Sequence, residues 1–346
     1  MSKNKPKTSR IKTIVSFVTI VALVVLVYAL RDQIKATYYA LDDVNLWFIS
    51  LMIPLQIINY HSYTKMYQRI YAIFGDTLPY KKLFKVQLEL NFVNNIFPSG
   101  GVTGISYFSL RMRNLGAGAG KSTLVQFIKF ALVFLSFQVM LAFGLLILAI
   151  GGNASNFLIL VVTSLTTLLF VGTFMAAYIM GSRSRINSFF AWISKALNKF
   201  IGIFRKGRPD TINIEKMHNT FNELHDNYMV IRKDIKLLKI PFLWALTANI
   251  SEVMTLYVVY MAFGAFVNIG AVTIAYAVSS FAGLISVLPG GIGIYEALMT
   301  ATLAAAGISA ALSLPVTVMY RILNSLIQLP LGGYFYYRNL HANKTK

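Results

Sequence analysis

The sequence has 346 residues, 56% of them hydrophobic and only 13% charged, where a soluble domain carries roughly 25% charged residues. A formal net charge of +20 would suit nucleic acid, but in so apolar a chain it is better explained by Lys and Arg gathering in cytoplasmic loops of a membrane protein. The absence of cysteine excludes disulfides, iron–sulfur clusters and thiolate catalysis.

The N-terminus, MSKNKPKTSRIK, is basic and precedes an apolar run. No small-residue cleavage pattern follows, so a retained first helix over about 13–30 is expected rather than a removed signal peptide. Further apolar segments cover about 44–60, 124–150, 156–180, 240–263, 270–288 and 313–337. Runs of this length suit helices that cross roughly 30 Å of hydrocarbon. They lack the alternation of a membrane barrel. Two more stretches, about 83–112 and 289–306, are apolar but interrupted.

Basic residues set the orientation. Lys3, Lys5, Lys7, Arg10 and Lys12 hold the N-terminus in the cytoplasm. The loop after the second span carries Lys65, Arg69, Lys81, Lys82 and Lys85. The segment 83–112 then ends in Arg111, Arg113 and Lys121, on the same side as it began. It is therefore expected to enter and turn back at FPSGG, where Pro98 stops a helix and Gly100 and Gly101 permit a sharp turn. The loops GGNASN and GAFVNIG are uncharged and fall outside; 182–239 is dense in Lys and Arg and falls inside, with the C-terminus. The segment 270–306 then begins and ends outside, turning at Leu288-Pro289-Gly290-Gly291. The expected fold class is an all-α polytopic membrane protein of the bacterial cytoplasmic membrane. It has six to eight transmembrane helices, two re-entrant Pro-Gly hairpins and both termini in the cytoplasm.

The two hairpins resemble each other, IFPSGGVTGISYF against VLPGGIGIYEAL. Each is followed by a helix bearing a basic residue, Lys129 in one and Arg321 in the other. Entry from opposite sides makes the halves an inverted repeat, 1–181 and 240–346, separated by the cytoplasmic segment 182–239. Broken helices in such repeats are a signature of transporters, because backbone freed at that depth lines a cavity. Ionisable residues inside hydrocarbon are costly and mark function. Here they are Glu89, Lys129, Glu252, Glu296 and Arg321. The planar guanidinium of Arg321 suits a phosphate or carboxylate, with Glu296 and Glu252 as candidate internal partners. With Lys129 toward the inner leaflet and Arg321 toward the outer, an anionic headgroup would meet two offset cationic points. Asn94, Asn95 and Asn249 would serve either the cavity or the helix contacts. The expected substrate path is Arg321, Glu296, Pro289, Gly290, Gly291, Pro98, Gly100, Gly101, Lys129, Glu252 and Glu89.

GAGAGKST at Gly116–Thr123 lacks the first glycine and the strand of a phosphate-binding loop, so it reads as a turn opening a helix. His218, Glu223 and His225 read as a solvated helix face. No catalytic residue, metal or cofactor is expected. In RINSFFAWISKALNKFIGIFRK, apolar residues from Ile186 to Phe204 recur at helical spacing between basic ones, as in an interfacial helix on anionic lipid.

The motif LPGGIGIYEA with the later Arg321, and FPSGGVTG with Arg111 and Arg113, resemble the transmembrane region of lysylphosphatidylglycerol synthase. This flippase-like domain is the membrane part of the multiple peptide resistance factor. The resemblance covers most of the chain; the N-terminal element departs from the family's pattern in lacking a Gly-Glu pair. It implies movement of an anionic or aminoacylated phospholipid between leaflets. In full-length members it also implies transfer of lysine from lysyl-tRNA to phosphatidylglycerol, and with it resistance to cationic peptides. The chain ends at Lys346, soon after its last helix, so the transferase domain is not expected. The alternative readings are phosphatidylglycerol lysyltransferase, the only one that calls for a nucleic acid, and a membrane partner of a separate transferase through 182–239. A homodimer is a further candidate assembly.

Overall fold

The computed structural model describes residues 31–97, 102–151, 155–189, 218–285 and 291–342, with single positions in 21–28 and 191–195. Among these residues the chain is helical and has no strand. The helices are α1 (Arg31–Ala40), α2 (Leu46–Ser50), α3 (Met52–Ile73), α4 (Tyr80–Ile96), α5 (Val102–Arg113), α6 (Ala119–Ile150) and α7 (Asn156–Met180). They continue as α8 (His218–Lys233), α9 (Lys239–Ala262), α10 (Ile269–Ile285), α11 (Ile294–Ala305) and α12 (Ala310–Ala342). Four helical stretches, Ala119–Ile150, Asn156–Met180, Ile235–Ala262 and Ala310–Leu340, are long and apolar enough to cross a membrane. The protein is an all-α, multi-pass membrane protein.

The second expected span is relocated. Asn45 caps α2 by accepting from the Trp47 amide at 3.0 Å, and the long helix α3 runs on to Ile73. The apolar window stops early because Gln56, Asn59, Ser62, Thr64, Lys65 and Arg69 dilute it, not because the helix ends. Gln56, Asn59, Ser62 and Thr64 are buried, and the Asn59 amide donates to the Ala248 carbonyl of α9 at 2.9 Å. Lys65 and Arg69 thus belong to α3 and not to a loop.

The bundle has two chemically different ends. At one, the Lys121 ammonium meets Asp76 at 2.9 Å and the Glu223 carboxylate accepts from the Gly120 amide at 2.8 Å. His225 Nδ1 lies 3.0 Å from the Met180 carbonyl, and Arg183 pairs with Asp226 at 2.6 Å. Glu223 and His225 are therefore docked on α6 and α7, which corrects their reading as a solvated face. At the other end the Asn45 amide donates to the Ala262 carbonyl at 2.9 Å, and the Ser155 hydroxyl to the Ala305 carbonyl at 3.2 Å.

Two pairs of short helices are antiparallel. In α4–α5, Glu89 faces Tyr107 and Arg111, and Asn94 faces Gly104; the pair opens and closes at the end marked by Asp76 and Lys121. The pair α10–α11 opens and closes at the end marked by Ser155 and Ala305. Helices from early and late in the chain pack on each other: α4 lies on α12, α10 lies on α6, and α3 lies along α9. Both crossings use glycine. A Cβ on Gly332 of α12 would stand 2.5 Å from the Leu88 carbonyl oxygen of α4. A Cβ on Gly270 of α10 would overlap the Gly144 carbonyl oxygen of α6. Small residues let membrane helices approach this closely.

Ile186, expected on an interfacial face, is buried, and Phe189 lines a groove with α6 and α7. Most of that expected helix beyond Phe189 and nearly all of the expected first span lie outside the described residues.

Candidate functional site

Four helices meet at a polar cavity of about 170 Å³. Its walls are Asn95 of α4, Tyr276 and Ser280 of α10, Tyr295 of α11, and Tyr320, Arg321, Asn324, Ser325 and Gln328 of α12. The α12 residues at 321, 324, 325 and 328 recur at helical spacing and form one polar stripe on an otherwise apolar helix. Asn95 lies in the last turn of α4, so the cavity sits where that helix stops.

Arg321 is fixed in the cavity wall by a neighbour behind it and one beside it. Its guanidinium pairs with the Glu296 carboxylate and lies 4.9 Å over the ring of Tyr295. The other oxygen of Glu296 accepts from the Gly293 amide at 2.7 Å, closing the first turn of α11. The turn entering α11 puts Gly291 and Gly293 at φ of 67° and 86°, a region that side chains avoid. Arg321 therefore reaches the cavity from a fixed position, with its charge compensated.

Glu252 of α9 lies behind Tyr320. Its Oε2 accepts from the Tyr320 hydroxyl at 3.0 Å and the Gln56 amide at 3.0 Å. The Gln56 carbonyl in turn accepts from Gln328 at 3.2 Å, and the Gln328 amide also reaches Asn324 at 3.0 Å. A chain of neutral polar groups thus ties Glu252 to the cavity wall. Such groups can bind a headgroup's hydroxyl, ester or phosphate oxygens, because amides and hydroxyls both donate and accept.

The remaining expected residues are dispersed. Glu89 is buried in the α4–α5 pair, where Arg111 grips it with two bonds of 2.6 and 3.0 Å and Tyr107 adds a third at 2.7 Å. It does not line the cavity. Lys129 sits 4.4 Å from the ring centre of Phe130 and 5.6 Å from that of Tyr63, also away from the cavity. Asn249 bonds Ser136 of α6 and joins two helices. Of the turn residues only Gly291 is described; Pro98, Gly100, Gly101, Pro289 and Gly290 lie outside the described residues. Sequence reasoning missed Gln56, Tyr276, Tyr295, Tyr320, Asn324 and Gln328. The Tyr320–Gln328 stripe was available as a signal, since an apolar helix seldom repeats polar residues on one face.

A family model described as the lysylphosphatidylglycerol synthase TM region matches residues 13–332. A UPF0104 membrane protein of Methanocaldococcus jannaschii is 23% identical over 336 residues, 96% of this chain and 95% of that one. A UPF0104 membrane protein of Methanothermobacter thermautotrophicus is 24% identical over 329 residues, 93% of this chain and 92% of its own. One from Pyrococcus horikoshii is 27% identical over 143 residues, 40% of this chain and 43% of its own. With nearly the whole chain matched, the protein belongs to the family of the lysylphosphatidylglycerol synthase transmembrane region.

Proposed function

We propose that this protein moves a lipid between the leaflets of a cytoplasmic membrane, passing an anionic or aminoacylated headgroup through the cavity beside Arg321. The observation that carries this reading is the cavity itself. A polar chamber within a bundle of apolar helices is expensive unless a polar ligand or water uses it. The acyl chains would remain in lipid while the headgroup crosses among amides and hydroxyls.

The packing of early helices on late ones supports an inverted repeat. So do the placements of α4–α5 and α10–α11, which open at opposite ends of the bundle. At about 1.5 Å per residue, the 12 residues of α5 and of α11 reach about 18 Å, short of the roughly 30 Å core. This supports reading both pairs as re-entrant. Basic residues at the Asp76–Lys121–Glu223 end favour the cytoplasm for that end. The segment 182–239 is then a cytoplasmic insert between the membrane halves.

The test is lipid movement in vesicles of phosphatidylethanolamine and phosphatidylglycerol holding a small fraction of headgroup-labelled phosphatidylglycerol. The outer leaflet is quenched, and loss of inner-leaflet signal is followed. Protein-dependent loss that drops at least tenfold in Arg321→Ala is the expected result. Loss no faster than in empty vesicles, repeated with a lysyl-esterified headgroup, would overturn the translocator reading.

A further inference from the structure

We infer that Glu252 is a proton-binding site coupled to the cavity, and that its protonation changes during the transport cycle. This inference rests on the translocator reading for its consequence but not for its detection.

The three carboxyls placed among the membrane helices, Glu89, Glu296 and Glu252, differ in one respect. Both oxygens of Glu89 are occupied, with a guanidinium across them. Both oxygens of Glu296 are occupied, one by Arg321 and one by the Gly293 amide. Glu252 has no cation within ion-pair distance among the described residues. Its two hydrogen bonds, from neutral donors, converge on Oε2 alone. Its Oε1 receives none from the described residues, and the side chain is only partly buried.

An ionised carboxyl at this depth without a cation is strongly disfavoured, whereas a protonated one is tolerated. A carboxyl with no cation beside it and one oxygen free of hydrogen bonds has a place for a proton. The titratable groups within electrostatic reach of Glu252 are Tyr60 and Tyr63 of α3, Tyr276 of α10, Tyr295 of α11 and Tyr320 of α12. The nearby cations are engaged elsewhere, Arg321 with Glu296 and Lys129 over aromatic rings. A proton therefore adds to Oε1 from water and leaves to water, with nothing else consumed. Tyr320 couples this event to the cavity. Its hydroxyl donates to Glu252 and lies 3.5 Å from the Asn324 amide, so a change at Glu252 alters what the cavity wall offers a headgroup.

The experiment has two arms on the full chain in phosphatidylglycerol–phosphatidylethanolamine vesicles. Infrared difference spectra across roughly pH 4 to 9 should show a protonated-carboxyl C=O band that titrates and is absent in Glu252→Gln. Tyr320→Phe should shift that band, because one hydrogen bond is lost. In the lipid-movement assay, the wild-type rate should change up to about tenfold per pH unit near the titration, and Glu252→Gln should flatten the profile. A titrating band with no lipid movement would sink the translocator reading and leave the proton site standing. Lipid movement with no Glu252-dependent band, or a rate that follows sodium and not pH, would overturn the proton site.

Discussion

Arg321→Ala removes the only described cation from Glu296 and leaves that carboxylate buried beside a cavity. Breaking one side of a buried ion pair costs about 3–5 kcal/mol, so the variant should melt well below the wild type in detergent. Replacing both partners, as Arg321→Met with Glu296→Gln, should recover part of that loss, since no buried charge is left alone. Recovery of stability without recovery of lipid movement would separate the headgroup role of Arg321 from its structural one. Glu223 carries a smaller prediction. Its carboxylate occupies the free amide at the start of α6, so Glu223→Ala should cost about 1 kcal/mol and loosen α8 toward proteolysis. At this scale the sequence was partly legible. An arginine far from either end of its helix called for an internal carboxyl, with Glu296 and Glu252 both open as partners, and the structure gives it Glu296 in the first turn of α11. The Glu89–Arg111 clamp did not, because Arg111 reads equally well as a basic residue marking a cytoplasmic loop. The Glu252 network needs Gln56, Tyr320 and Gln328 from distant parts of the chain, and no local pattern joins them.

Whole elements were legible where hydrophobicity alone decides them. The helices α6, α7, α9 and α12 coincide with apolar runs because lipid and core both demand apolar side chains there. In α3 the demand reverses: Gln56 and Asn59 bond α9, and the buried Ser62 and Thr64 return their hydroxyls to carbonyls of α3 itself, so the helix hides polar residues inside the bundle. A hydropathy window reads that as an end. The packing of α4 on α12 and of α10 on α6 was equally hidden, since a glycine states its freedom and not its neighbour. Gly332→Ala tests the first crossing. Its Cβ would meet the Leu88 carbonyl and stand 2.7 Å from the Phe92 Cβ, so α4 must shift. Overpacking of this kind costs about 1–3 kcal/mol, and a shifted α4 moves Asn95 out of the cavity wall. Gly172→Ala on α7 is the control, since nothing lies within 4 Å of its Cβ. That variant should be neutral or gain up to about 1 kcal/mol from helix propensity. Equal effects of the two on melting temperature would mean that the α4–α12 crossing is looser than it stands here.

The arrangement of the molecule depends on which end faces the cytoplasm, and the chain is well suited to settle it. It contains no cysteine, so any single introduced thiol is the only one to label. Phe266 is exposed between α9 and α10, at the end where α2 meets Ala262. Lys236 is exposed at the opposite end, in the turn leading into α9. Placing the basic end inside predicts that Phe266→Cys reacts with a membrane-impermeant maleimide in intact cells. Lys236→Cys should react only after the membrane is opened. The same logic separates a re-entrant α10–α11 from one that spans. Both ends of this antiparallel pair share a side in either case, so the turn decides: a thiol at Ile292, between α10 and α11, labels together with Lys236→Cys if the pair spans and is shielded from both sides if it turns back within the membrane. Labelling of Ile292→Cys from the same side as Lys236→Cys would break the inverted repeat of re-entrant pairs, because α10–α11 would then no longer mirror a re-entrant α4–α5. The cavity would lose its symmetry argument and keep only its chemistry. Labelling of Phe266→Cys in intact cells, with Lys236→Cys and Ile292→Cys protected, would leave the two helix pairs entering from opposite leaflets. A headgroup held beside Arg321 would then be reached from each leaflet past a different broken helix, the geometry that alternating access requires.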